Sequence, residues 1–219
     1  MNTKIVWFDF GGVLSPPISD LFISYFLKTG IQPKDLQLAM KHVADDMHMD
    51  ILSPIEKGIL TEQEWGYRLR EKLRINIPKI DLSRAHLEEF GCQWFQNIQP
   101  NKIMIDTFCR VKCAGIKVGI LTNNVSEWEP YWKEVIGIED LADHIVDSCK
   151  IHCRKPERSI FKFAEEKAKC QPEECLLIDD VEENCNAAIS IGWKSIHFEN
   201  NTNTVIKLFE QLSHEGMTL

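Results

Sequence analysis

The sequence predicts an α/β fold in which a doubly wound parallel sheet carries an inserted helical cap. Three observations lead there. Residues 4–9 form a nearly continuous apolar run that stops at Asp9 and the pair Gly11-Gly12, as a strand buried on both faces would. From about residue 100 onward, helical and strand patterns alternate. Between these stretches lie some eighty residues of helical pattern and breakers, with no strand of comparable strength. Alternation implies a doubly wound sheet, and the first strand must join it. Residues 15–95 are then an insertion after strand one, and 1–14 with 96–219 make the α/β core.

The elements follow in order. Residues 4–9 are the first strand. In the insertion, Leu21-Phe22-x-x-Tyr25-Phe26 and Trp65-x-x-x-Leu69-x-x-x-Leu73 repeat at helical spacing. Thr61-Glu62-Gln63-Glu64 resembles a capping box, and Pro16-Pro17, Pro33, Pro54 and Pro78 separate the helices. Pro100 opens a helix through Ala114, Gly115 ends it, and 116–121 is a strand. A helix near 126–136 precedes a strand near 144–147. Pro156 opens a helix to about 169, and 175–179 is a strand. A helix over 182–191 ends at Gly192, a short strand lies near 194–198, and a last helix covers roughly 203–213.

Composition narrows the function. The chain has 219 residues, 44% of them hydrophobic, enough for one large domain or a domain with a subdomain. A net charge of −8 without a basic run argues against nucleic acid or an anionic membrane as partner. The N-terminus has only Lys4 before a short apolar segment, and no apolar run is long enough to span a bilayer. Eight cysteines show no small-scaffold spacing, so they are expected as reduced thiols in a cytoplasm.

Four short stretches carry chemistry. Asp9 ends the first strand, Thr122-Asn123-Asn124 ends the second, Arg154-Lys155-Pro156 precedes a helix, and Asp179-Asp180 ends the strand at 175–179. In open parallel sheets ligands bind at the carboxyl ends of strands, so these groups converge on one crevice. A nucleophile, a phosphate cradle, a cation and metal-binding carboxylates are what a magnesium phosphotransferase requires. Each group also has a plainer reading. Asp9 could shape a turn, Thr122-Asn123-Asn124 could cap a helix, and Lys155 could lie in solvent. Asp179-Asp180 resists such a reading, because two adjacent carboxylates repel unless a cation offsets them. Lys155 before Pro156 is expected to reach a helix N-terminus where anions are favoured.

In this order the four stretches resemble the motifs of the haloacid dehalogenase superfamily, with its Rossmann-like core. The resemblance covers the whole chain, including a helical cap after strand one. It is nearest to the branch of sugar-phosphate phosphatases and the N-terminal phosphatase domain of soluble epoxide hydrolases. It implies that Asp9 is the nucleophile, that Thr122 and Asn123 hold the phosphoryl group, and that Lys155 neutralises it. It implies Mg2+ held by Asp9, the Gly11 carbonyl and Asp180, with Asp179 beside them. Phosphatases of the family carry a second aspartate, a general acid and base, where this chain has Gly11; such help is typically worth ~10²–10⁴-fold.

The implied activity is magnesium-dependent hydrolysis of a small phosphate monoester, a sugar phosphate among the candidates. The alternatives are a haloacid dehalogenase, which uses the same aspartate on carbon, and a catalytically weak binding or regulatory protein. Three further groupings have less specific patterns. Cys149-Lys150-Ile151-His152-Cys153, and His42 with Asp45, Asp46, His48 and Asp50, could suggest metal sites, but a thiol-bearing loop and a polar helix face are the expectations. Phe22, Tyr25, Phe26, Trp65 and Trp94 are expected to pack cap against core rather than to line a pocket.

Overall fold

In a computed structural model, which describes residues 2–199 and 202–214, five strands form one parallel sheet. They are β1 (Ile5–Phe8), β2 (Lys117–Thr122), β3 (His144–Asp147), β4 (Cys175–Asp179) and β5 (Lys194–His197), in the order β3-β2-β1-β4-β5. All four side chains of β1 are buried, as its unbroken apolar run requires of a central strand. Its residues alternate between two cores. Val6 and Phe8 join a cluster that continues into the insertion, whereas Ile5 and Trp7 pack with Phe161 and Trp193 on the other face. Phe8 lies opposite Ile120 of β2 and Ile178 of β4. That register brings Asp9, Thr122 and Asp179 out at the same edge.

Between β1 and β2 the chain forms α1 (Ile18–Thr29), α2 (Pro33–Asp45), α3 (Ser53–Glu56), α4 (Glu62–Asn76), α5 (Phe90–Phe95) and α6 (Lys102–Cys113). Pro33 stands in the first turn of α2, where its missing N–H costs nothing. The capping box of α4 is present: Glu64 N–H donates to Thr61 Oγ1 at 3.2 Å, and Thr61 N–H donates to Glu64 Oε2 at 3.0 Å. The remaining helices alternate with the strands: α7 (Glu129–Ile136), α8 (Ser148–Ile151), α9 (Arg158–Ala168), α10 (Glu182–Ser190) and α11 (Thr202–His214).

The insertion closes over the strand ends and is fastened there. The Arg154 guanidinium pairs with Glu56 at 2.7 Å, Ser148 Oγ donates to the Glu56 carbonyl at 2.6 Å, and Lys57 pairs with Glu157 at 2.6 Å. Trp128, just after β2, stacks on Phe90 and donates its indole N–H to Glu62 at 2.6 Å. The two connections to the core are themselves joined, Asn101 N–H donating to the Leu14 carbonyl at 2.8 Å.

Two helix starts differ from the sequence expectation. Pro100 does not open the helix before β2; α6 begins at Lys102. Pro156 does not open the helix before β4; α9 begins at Arg158. Residues 154–157 form a turn closed by Glu157 N–H on the Arg154 carbonyl at 2.8 Å, and Glu157 is still extended at φ −63°, ψ 134°. All eight cysteines are free thiols. Among the described residues, no helix is long and apolar enough to cross a membrane.

Candidate active site

At the carboxyl end of the sheet, Lys155 is fully buried between two acids. Its Nζ lies 2.9 Å from Asp9 Oδ1 and 2.5 Å from Asp179 Oδ2. The expectation that Lys155 serves a helix N-terminus is therefore corrected. The turn at 154–157 directs it sideways across the strand ends, into contact with carboxylates instead of solvent. Burial alone would lower its pKa, but Asp179 and Asp9 outweigh that cost and hold the ammonium above the usual lysine range.

Asn123 fixes this arm. Its side-chain oxygen accepts from the Lys155 N–H at 2.8 Å, and its side-chain amide donates to the Lys155 carbonyl at 2.9 Å. The side chain expected to hold a phosphoryl group is thus committed to the backbone of Lys155. Thr122 is fully buried, and its Oγ1 has no hydrogen-bond partner among the described residues. An orphan hydroxyl at the end of β2 costs free energy unless a ligand satisfies it.

Asp9 Oδ1 accepts from the Phe10 N–H at 2.7 Å as well as from Lys155. Burial pushes the Asp9 carboxyl well up from the carboxylate range; Lys155 opposes this, and Asp179 and Asp180 add to it. Asp180 is pushed up to about 6, first by burial and then by Asp179, against the pull of Lys155. Asp179 is anchored through Oδ1, which accepts from Val181 N–H and from Asn184 Nδ2, both at 2.9 Å.

Gly12 is the glycine that the turn after β1 cannot replace. It sits at φ +74°, and a Cβ there would lie 2.1 Å from Asp180 Oδ2. The carboxylate therefore rests on the backbone of residue 12. Its N–H donates to Ser15 Oγ at 3.0 Å, which tightens the same turn. Gly11 is different: φ −66° and ψ 122° suit any residue, and a Cβ would meet only Ile18 Cδ1 at 3.3 Å. The sharp exit expected of both glycines is made by Gly12.

Carboxylate oxygens of Asp9, Asp179 and Asp180 come within 4.8 Å of one another. With one ammonium among them, the three acids keep an excess of negative charge. This all-oxygen set fits a hard divalent cation. It is also the sole His/Cys/Asp/Glu group of that closeness among the described residues. The other groupings are used elsewhere. Asp45 pairs with Lys41, Asp46 pairs with Lys72, and His152 meets the Lys57 carbonyl. The Cys149 thiol bonds to Asp147, and burial pushes its pKa up.

Sequence reasoning missed Asn184, Ser15 and Glu56. Asn184 follows the acid pair by one helical turn, a signal visible in retrospect. Glu56 carries no local signal, because only the closure of the insertion brings it here.

The profile of the haloacid dehalogenase-like hydrolases matches residues 3–192. The chain belongs to this family. The putative uncharacterized hydrolase C7D4.05 of Schizosaccharomyces pombe is 35% identical over 95% of both chains. The sesquiterpene phosphatase astK of Aspergillus oryzae is 22% identical over 94% of both. The D-ribitol-5-phosphate phosphatase of Bacteroides thetaiotaomicron is 24% identical, covering 90% of this chain and 92% of its own. Among solved structures, a family enzyme from B. thetaiotaomicron in complex with magnesium and inorganic phosphate superposes with TM-score 0.63 at 22% identity, over 90% of this chain and 94% of the other. The L-2-haloacid dehalogenase of Xanthobacter autotrophicus superposes with TM-score 0.65 at 15% identity, over 96% of this chain and 83% of the other. These neighbours share the α/β core with its parallel sheet.

Proposed function

We propose that this hydrolase is a magnesium-dependent phosphatase, acting on a small phosphate monoester through an aspartyl-phosphate. The observation that carries the reading is the buried Asp9–Lys155–Asp179 bridge beside Asp180. A nucleophile, a fixed cation and a set of hard oxygen donors stand at one strand edge. The phosphatase relatives and the phosphate-bearing neighbour support it.

Asp9, Asp180 and the Gly11 carbonyl would hold magnesium, with Asp179 behind them. When bound, the metal supplies charge neutralisation at the phosphoryl oxygens. The Asp9 carboxylate attacks phosphorus, and the bond from phosphorus to the leaving oxygen breaks. Lys155 offsets charge on the phosphoryl group. The Thr122 hydroxyl and the Asn123 backbone N–H orient it, while the Asn123 side chain keeps Lys155 in place. Water then attacks the phosphorus of the acyl phosphate, releasing inorganic phosphate and restoring Asp9. Residues 15–95 act as the cap that shields this intermediate from stray water. With Gly11 in place of an acid, the leaving oxygen departs without a proton from that position.

The dehalogenase reading uses the same Asp9 and also needs no acid at residue 11. The three crowded carboxylates weigh against it, because attack on carbon requires no cation. Turnover of p-nitrophenyl phosphate with and without magnesium, against release of chloride from 2-chloropropionate, separates the two. The expected result is magnesium-dependent phosphate release that Asp9→Asn reduces to background. Full activity of Asp9→Asn in a contaminant-free preparation would overturn the covalent route. Dehalogenation without metal would replace the reading altogether.

A further inference from the structure

A cavity of 110 Å³ begins at Gly11 and Asn123, three residues beyond the end of β1 and one beyond the end of β2, and runs between cap and core. Its walls are mainly Ile18, Leu21, Trp65, Phe90, Trp94 and Trp128. The polar groups in these walls are largely committed. Glu56 is paired with Arg154, the Trp128 N–H with Glu62, the Asn123 amide with Lys155, and Asn124 Oδ1 accepts from Val125 N–H at 2.9 Å. The Trp65 indole N–H is one buried donor without a partner. The packing expected of Phe22, Trp65 and Trp94 is therefore only half of their role.

The cavity has a neighbour. A groove of 490 Å³ on the cap surface is lined by Leu38 and Ile51, both exposed, and by the side chains of α2. Phe22, Met40 and Leu52 line both the cavity and the groove. Three apolar side chains are thus a shared wall between the space above Gly11 and an open, mainly apolar groove edged by Lys34, Gln37 and Lys41.

Resting on the phosphatase reading, we infer that the substrate is the phosphate ester of an apolar alcohol longer than the cavity. Its first four to six carbons fill the space above Gly11, where a ring-sized group is the upper limit; a cavity of about 150 Å³ holds a benzene. Its tail passes between Phe22, Met40 and Leu52 into the groove. A sugar or polyol phosphate fits poorly, because most polar groups in these walls are already paired, so each hydroxyl that enters gives up water for little in return. The groove adjoins the cavity across these three side chains, which is what assigns it to the tail of the same molecule.

The test compares primary alkyl phosphates, whose leaving oxygens have nearly the same basicity, below their micellar concentrations. Ethyl, pentyl and decyl phosphate are measured beside ribitol 5-phosphate, with p-nitrophenyl phosphate as the control for chemistry. In a second arm without metal, binding of 1-decanol is followed through tryptophan fluorescence, since Trp65, Trp94 and Trp128 line the cavity. The expected kcat/KM rises from ethyl to decyl, with ribitol phosphate at least ~100-fold below decyl. Leu52→Trp, checked for folding by circular dichroism, should cut the decyl-to-pentyl ratio about tenfold and weaken decanol binding. Preference for ribitol phosphate, or a flat chain-length profile together with no decanol binding, overturns the inference. Decanol binding with no turnover of any phosphate upholds the apolar channel and overturns the phosphatase reading instead.

Discussion

Replacing Lys155 by methionine tests the charge arrangement of the site without any assumption about substrate. The wild-type ammonium is fully buried and contacts Asp9 at 2.9 Å and Asp179 at 2.5 Å, so no solvent screening discounts the pair. Methionine keeps most of the stem's volume and removes the charge. Breaking a buried pair from one side typically costs about 3–5 kcal/mol, because an uncompensated charge stays behind. For a chain of this size that corresponds to a fall in Tm of roughly 6–20 °C. The loss should shrink as pH falls. Asp9 already holds its proton more tightly than a free carboxylate, and losing Lys155 strengthens that hold. A carboxyl with a raised folded pKa destabilises the fold as pH rises through that pKa, and protonation at low pH removes the penalty. Thermal unfolding by circular dichroism, metal-free, at pH 5 and pH 7.5 reads both effects. In an Asp9→Asn background the Lys155→Met loss should be smaller by about 0.5–3 kcal/mol, the coupling expected of side chains in contact. A Lys155→Met protein melting within 2 °C of wild type at pH 7.5 would refute the account.

Further outcomes are expected elsewhere. Gly12→Ala should abolish magnesium binding in calorimetry, because its Cβ would sit 2.1 Å from Asp180 Oδ2 at a φ of +74°; unchanged affinity would remove Asp180 from the metal set. Asp147 is pushed up to about 6 by burial, with Oδ2 unpartnered, so its ionisation opposes folding by about 3 kcal/mol above that pH. Asp147→Asn should therefore raise Tm by roughly 6–12 °C at pH 7.5 and hardly at all at pH 4, and equal shifts at both would contradict this. Gly11→Asp should fold normally, since φ −66° suits aspartate and only the Ile18 Cδ1 tip must yield. It should speed alkyl phosphates more than p-nitrophenyl phosphate, and equal effects on both would show that proton supply is not limiting.

What the sequence made legible was the sheet edge. β1 and β4 are apolar runs ended by acids, and a parallel register carries such ends to one place whatever the loops do. The capping box of α4 was equally plain, because both its bonds lie within four residues. Lys155 could be placed near the site but not understood, since its contacts come from β1 and β4, far away in sequence. The same holds for Asn123, whose partner is the Lys155 backbone 32 positions on. The apolar cavity was least legible. Ile18, Leu52, Trp65 and Phe90 belong to separate cap elements, and helical spacing says only that each faces inward. Whether an inward face fills a core or bounds a cavity is decided by closure of the insertion, through Glu56–Arg154 and Trp128–Glu62.

The missing acid and the apolar walls act on different quantities, and the structure keeps them apart. Gly11 stands at the boundary, beside Ile18 and two residues beyond Asp9. Chain length changes how much apolar surface is buried in ground and transition states alike, so it moves KM and kcat/KM. The basicity of the leaving oxygen changes only the chemical step, so it moves kcat. An apolar ester with a poor leaving group should therefore bind well and turn over slowly, unless a wall residue provides the proton. Glu56 is the one acid in that wall, and burial raises its pKa despite Arg154. If kcat proves independent of leaving-group basicity with chemistry rate-limiting, Glu56→Gln becomes the deciding variant. Loss of kcat selectively for alkyl esters would assign it the proton, whereas an equal loss for p-nitrophenyl phosphate would mean only that the cap had come loose from Arg154.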